Sequence, residues 1–222
     1  MDLRKKVMNK LHPILKPLYQ WYTSSPRNYQ YKKIRIVIFP GVFHPGLFSS
    51  TKVILGFLEQ IDLKQKKILE LGSGSGLISI FCALREAQVT SSDISEVALL
   101  CTLENAKRNG VSLRVVKSNL FDELMGEPFD LIIINPPYYP KVIQSEADYG
   151  WFCGEDFEYF RKLFYQLNQI WSPSLQVIIN FSEDCRIETI QGIAKNSDFL
   201  LVLLLEKKVA GEKNFLFEVR RA

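Results

Sequence analysis

Lys67-Ile68-Leu69-Glu70-Leu71-Gly72-Ser73-Gly74-Ser75-Gly76-Leu77 is the stretch that decides the fold. Its first half is a short apolar strand. Its second half is a turn with glycines at alternate positions, and apolar residues at helical spacing follow at Leu77, Ile80, Phe81 and Leu84. Glycine at Gly72, Gly74 and Gly76 removes side chains where a backbone must pass close to a ligand. A helix opening at Leu77 points free N–H groups and its positive end at the same place. A glycine turn between strand and helix is common to nucleotide-binding folds, so this stretch alone predicts a cofactor loop, including Ser73, without specifying the cofactor.

Working outward, strand and helix patterns alternate. Strands are expected around Val89 to Asp93, Leu113 to Val116, Leu131 to Ile134 and Gln176 to Phe181. Helices are expected over Ser50 to Ile61, over Glu96 to Asn109 with Asn109-Gly110 as the stop, along the stripe from Phe157 to Trp171, and around Ile187 to Ala194. Leu131 to Ile134 is apolar on both faces, as a central parallel strand must be. Phe199 to Lys208 and Phe215 to Arg220 read as a closing antiparallel hairpin, joined by residues 210–214. The expected fold is α/β: a doubly wound, mostly parallel, seven-stranded sheet with a C-terminal antiparallel hairpin. The division expected is a basic N-terminal extension over 1–45, with a strand at Ile34 to Phe39, and a catalytic domain over 46–222. In such sheets ligands sit at the carboxyl ends of the strands, near the switch in strand order.

The strand ends carry the chemistry. Asp93 closes the second strand, seventeen residues beyond Gly76, where doubly wound folds place an acid for ribose hydroxyls. Its alternative duty is to cap the next helix. Ser118-Asn119-Leu120-Phe121 follows the third strand and offers an amide and a backbone N–H to a ring such as adenine. Asn135-Pro136-Pro137-Tyr138 follows the fourth strand. Its two prolines fix an extended, rigid turn. That turn presents two acceptors, the Asn135 side-chain oxygen and the Pro136 carbonyl, beside the flat ring of Tyr138. The set suits a planar NH2 group, such as an amide or an aromatic amine. Trp151, bracketed by Gly150 and Gly154, is either a mobile flap over this site or a core aromatic, with the anchor the more ordinary role.

Together Glu70 to Gly76, Asp93, Ser118 to Phe121 and Asn135-Pro136-Pro137-Tyr138-Tyr139-Pro140 resemble the class I S-adenosylmethionine-dependent methyltransferases. Within them the chain resembles the HemK-like, small-domain group, which includes release-factor glutamine methyltransferases. The likeness spans roughly residues 40–182. It implies S-adenosyl-L-methionine as cofactor, with Glu70, Gly72 and Gly74 along its methionine portion. Asp93 would take the ribose, and Asn119 and Leu120 the adenine. Asn135 and Tyr138 would hold the target nitrogen. Thr51, in the segment Pro40 to Thr51, resembles the threonine that precedes the first helix in this group.

Composition narrows the partners. At 222 residues, 47% hydrophobic and 23% charged, the chain is long enough to bury one full α/β core. The net charge of +4 is unevenly placed: from Leu3 to Leu58 there are ten Lys and Arg and no acid, so the remainder is net negative. One-sided positive charge attracts a polyanion such as RNA or a ribosome, and its plain alternative is a solvated terminus. Cys82, Cys101, Cys153 and Cys185 form no CxxC pair, and His12 and His44 have no ligand spacing, so neither metal nor disulfide is expected. No apolar run approaches the length of a membrane span, which predicts a soluble, cytoplasmic protein. Two readings lead: protein glutamine N5-methylation, and adenine N6-methylation of rRNA, tRNA or DNA. A nicotinamide-dependent oxidoreductase would leave the Asn-Pro-Pro-Tyr turn unexplained, and a silent cofactor-binding module would not retain it.

Overall fold

The structure is a computed structural model that describes residues 22–209 and 211–222. A small hairpin, β1 (Arg27–Tyr31) and β2 (Ile34–Ile38), leads into helix α1 (Ser50–Leu58). Then come β3 (Lys67–Leu71), α2 (Leu77–Ala83), β4 (Gln88–Asp93), α3 (Glu96–Arg108), β5 (Arg114–Lys117) and β6 (Leu131–Ile134). The chain closes with α4 (Glu158–Ile170), β7 (Gln176–Ser182), α5 (Ile187–Lys195), β8 (Phe199–Val209) and β9 (Glu212–Arg221).

The main sheet has seven strands in the order β5-β4-β3-β6-β7-β9-β8. From β5 to β7 all pairs are parallel, and β9 runs antiparallel to both β7 and β8. This is the expected doubly wound fold with its closing hairpin. The hairpin strands are longer than their apolar runs suggested, and their joint is correspondingly shorter.

Burial follows from residue alternation on fully covered strands. Ile132 and Ile134 of β6 face a core with Phe160, Phe164 and Leu167 of α4 and Ile190 of α5. Leu131 and Ile133 face the opposite core, with Ile54 of α1, Ile80 of α2 and Cys101 of α3. Cys82 and Cys101 are small, fully buried core residues, as their helical spacing implied.

The sequence pattern showed β2 but not its partner β1. Arg-Asn-Tyr-Gln-Tyr has no apolar run; its strand character lies in the alternation that turns Tyr29 and Tyr31 inward. The hairpin falls within the 1–45 segment, yet Ile34, Ile36 and Ile38 belong to the core shared with α1, α2 and α3. Asn105 accepts from the Val37 N–H and donates to the Val37 carbonyl, both at 2.7 Å. Asn109 does the same for Arg35, at 3.1 and 2.7 Å. Two side-chain amides, one on α3 and one at its C-cap, thus pair with the outer edge of β2.

Candidate active site

The strand order reverses between β3 and β6, and there a cavity of about 430 Å³ opens. That size is ordinary for a small-molecule site, roughly 300–1,000 Å³. Of the twelve residues singled out in the sequence, eleven line it: Thr51, Glu70, Gly72, Ser73, Gly74, Asp93, Asn119, Leu120, Asn135, Pro136 and Tyr138. Gly76 lies outside. A side chain there would meet Thr102 of α3, with Cγ2 at 2.8 Å and Oγ1 at 2.9 Å. That glycine serves the packing of α2 on α3. All three glycines have positive φ, but nothing lies within 4 Å of a Cβ at Gly72 and only Val42, at 3.9 Å, for Gly74.

Glu70 forms the floor. It is 5% exposed, and its Oε2 accepts from the Ser79 N–H at 2.8 Å and the Ser79 hydroxyl at 2.5 Å. Ser91 in turn donates to the Ser79 hydroxyl at 2.5 Å. A donor in the first turn of α2 is therefore taken by Glu70, while Leu77 and Ile78 at the helix start line the cavity. Burial pushes the Glu70 carboxyl up to about 8, against the pull of its Ser79 hydrogen bonds.

Asp93, at the end of β4, combines two duties. Its Oδ2 accepts from the Gly74 N–H at 2.9 Å and its Oδ1 from the Ser95 N–H at 3.0 Å. It thereby fixes the glycine turn and leads into α3, whose N-cap is Ser95. Burial raises its carboxyl above the usual range, opposed by those backbone donors. Beside β5, Leu120 is held at φ 57 and its carbonyl accepts from the Ser118 hydroxyl at 2.8 Å, while Asn119 is an exposed residue of the cavity lining.

At the end of β6, Asn135 donates from Nδ2 to the Ser50 hydroxyl at 3.2 Å. This leaves Oδ1 as a free acceptor among the described residues, next to buried Pro136. Ser50 is a site residue that sequence reasoning missed. It opens α1 beside Thr51, but a serine in a run of serines carries no motif. Burial raises the Tyr138 phenol far above its ordinary value, with the neighbouring Tyr139 and the carboxylate of Glu212 adding to the effect. The two tyrosine rings lie 4.8 Å apart.

The rim is aromatic. Trp151 packs 5.5 Å from Phe43 and 5.2 Å from Phe48, and Phe43 stacks on Phe48 at 4.8 Å. The Trp151 carbonyl accepts from the Tyr139 N–H at 3.1 Å, and the Cys153 N–H reaches the Tyr139 carbonyl at 3.0 Å. Trp151 thus joins two loops at the mouth of the cavity. The ionisable lining residues among those described are Glu70, Asp93, Glu146, Glu158 and Lys162, and Lys162 is ion-paired with Asp122 at 2.7 Å. Even with Glu70 protonated, acidic side chains outnumber basic ones in the lining.

A sheet wound in this order, with glycine turn, strand-end acid and Asn-Pro-Pro-Tyr turn facing one cavity, defines the class I methyltransferase architecture. The chain superposes with a TM-score of 0.62 on a ribosomal protein L11 methylase from Lactobacillus delbrueckii subsp. bulgaricus, at 22% identity, covering 91% of this chain and 92% of that one. The model of the methyltransferase small domain matches residues 33–149, and the chain belongs to that family. A protein of Methanocaldococcus jannaschii, provisionally named a protein N5-glutamine methyltransferase, is 38% identical over 116 residues, 52% of this chain and 56% of its own. A ribosomal RNA small subunit methyltransferase C from Pseudoalteromonas atlantica is 31% identical over 134 residues, 59% of this chain and 37% of its own. The matched part is thus about half or less of these relatives' lengths. Among the described residues, no helix is long and apolar enough to cross a membrane.

Proposed function

We propose that the protein is an S-adenosylmethionine-dependent N-methyltransferase whose acceptor is a glutamine side chain of a protein. The observation that carries this reading is the Asn135 amide. Its nitrogen is committed to Ser50, so its oxygen, with the Pro136 carbonyl, is left to hold the two hydrogens of a planar NH2 group. The M. jannaschii relative, by its name, acts on the same group.

The lining fits the cofactor. Gly72 and Gly74 leave open backbone at the cavity, Asp93 offers a carboxylate for paired hydroxyls, and Asn119 and Leu120, which line the cavity after β5, would take the adenine. The net negative lining suits a sulfonium and an ammonium, and it opposes the pyrophosphate of a dinucleotide. When bound, S-adenosylmethionine supplies a methyl group already activated by positive sulfur. The protein's task is alignment. Asn135 and Pro136 hold the nitrogen so that its lone pair points into the cavity, and Tyr138 bounds the plane of the amide. No strong base is required: the sole lysine among the described lining residues is paired with Asp122, and the proton departs to water after transfer.

The same charge argument favours a protein acceptor over a nucleic acid. Glu146 and Glu158 line the cavity, and the carboxylates of Asp184 and Glu212 act on Tyr139. A flipped base would bring its phosphates against them. We assign the basic residues ahead of the hairpin to docking on a polyanionic particle that carries the acceptor, such as a ribosome. Arg4, Lys5, Lys6, Lys10, Lys16, Tyr19 and Trp21 lie outside the described residues. Within them, Arg27 lies 4.4 Å from the Tyr22 ring and Lys32 pairs with Glu59 at 2.5 Å, so these two serve the fold. The test is transfer of tritiated methyl groups into cell extract. Label released by protease as N5-methylglutamine supports the reading; label released by nuclease overturns it in favour of a base.

A further inference from the structure

Two neighbouring serines at the start of α1 are tied to asparagines of the sheet, Ser50 to Asn135 just after β6 and Ser49 through Asn214 of β9 to Asn180 of β7. The last paired residues of β6 and β7 are Ile134 and Ile179, and one position further stand Asn135 and Asn180. Asn135 donates to Ser50. Asn180 donates from Nδ2 to Asn214 Oδ1 at 3.2 Å, and Asn214 donates from Nδ2 to the Ser49 hydroxyl at 2.6 Å. Ser49 in turn donates to Oε2 of Glu212. All donors in this chain point one way, towards a half-buried carboxylate, an arrangement in which each bond polarises the next.

The chain is buried. Ser49 is 5% exposed, Asn180 1% and Asn214 0%. Asn180 Oδ1 has no hydrogen-bond partner among the described residues although it is fully shielded. A buried acceptor left without a partner costs stability. Ser49 is also the N-cap of α1, yet its side chain makes no capping bond to its own helix. A serine at this position ordinarily spends its hydroxyl there. Here the hydroxyl is diverted to β9.

We propose that Ser49, Asn214 and Asn180 are positioning residues. They hold the first turn of α1 against β7 and β9 in the one placement where Ser50 orients the Asn135 amide. The inference rests on the reading of Asn135 as holder of the target nitrogen, and its test is separable from that reading. In protein labelled with ¹⁵N-asparagine, the Asn135 side-chain NH2 signals are assigned by their loss in Asn135→Asp. Ser49→Ala should shift these signals and speed their exchange with water, and Ser49→Thr, which keeps a hydroxyl, should restore them. Affinity for S-adenosylhomocysteine should stay the same in both. Methyl transfer to a glutamine peptide should fall about ten-fold in kcat for Ser49→Ala, as for one lost hydrogen bond. If Ser49→Ala does not fold, Glu212→Ala removes the outer end of the chain and is read in the same way. Unmoved Asn135 signals in a folded variant overturn the proposal, leaving the network a matter of stability alone. A wild-type protein that methylates no glutamine overturns the acceptor reading instead, while the amide signals still decide this one.

Discussion

The Asp93 carboxylate accepts the backbone hydrogen of Gly74 across 2.9 Å, so the acid that ends β4 and the turn that follows β3 form one unit. Asp93→Ala removes the clasp on the turn and, on the proposed reading, an acceptor for the ligand's hydroxyls. S-adenosylhomocysteine binding should weaken by about 1.5–3 kcal/mol, the range for hydrogen bonds to a charged group. Asn135→Ala should leave that binding nearly unchanged and abolish most methyl transfer. Calorimetry on both variants checks the division; loss of cofactor binding in Asn135→Ala with turnover retained would reverse the two roles.

Glu70 makes stability depend on pH. Its folded pKa, about 8, lies above the ordinary carboxylate range it has when unfolded. The unfolded chain therefore gives up this proton first. Its contribution is complete at acidic pH and is lost as pH rises towards and through 8. The melting temperature of the ligand-free protein should decline across that window, and Glu70→Gln should flatten the decline. If Glu70 lies along the amino-acid portion of the ligand, as proposed, affinity for S-adenosylhomocysteine should rise over the same window as the carboxylate ionises. Thermal scans and titrations from about pH 5 to about pH 9, wild type against Glu70→Gln, check both signs.

Gly76 and Gly72 should separate under the same substitution. Both need positive φ, which costs a non-glycine residue roughly 1–2 kcal/mol. Gly76→Ala also drives a methyl into Thr102, whose Cα lies 3.1 Å from the new atom. It should lower the melting temperature more than Gly72→Ala, and Thr102→Ala should recover part of the loss. Gly72→Ala meets no described protein atom and should chiefly weaken S-adenosylhomocysteine binding. Equal melting temperatures for the two variants would contradict the packing role of Gly76.

Changing Lys5, Lys6, Lys10 and Lys16 together to alanine should leave the melting temperature and cofactor affinity unchanged. Binding to ribosomal particles should weaken and lose salt sensitivity, by about one unit of log–log slope for each phosphate contact removed. An unchanged slope would assign these lysines to solvation.

Most of the cavity was legible because its residues follow strand ends. In β6 four apolar residues, Leu131 to Ile134, sit between Asp130 and the Asn-Pro-Pro-Tyr turn, so strand and site identify each other. Ser50, Ser49 and Asn214 were not legible, since each matters through a partner 85 residues or more away in sequence. Alternate glycines look alike in a string, so the sequence assigns Gly76 the same ligand-facing role as Gly72 and Gly74; only the approach of Thr102 on α3 distinguishes the third. Strand β1 was hidden because tyrosines, rather than aliphatic residues, mark its inner face, and because Lys32 turns the hairpin at φ 51 without a glycine.

The amides of Asn105 and Asn109 have a consequence for the behaviour of the protein in a crowded solution. An open strand edge is a template on which another chain can add. By satisfying the N–H and carbonyl of both Arg35 and Val37, the two side chains occupy the edge of β2 from within the same molecule. They act as a built-in terminator of sheet growth, and replacing them by alanine would leave the backbone groups of Arg35 and Val37 without partners beneath α3.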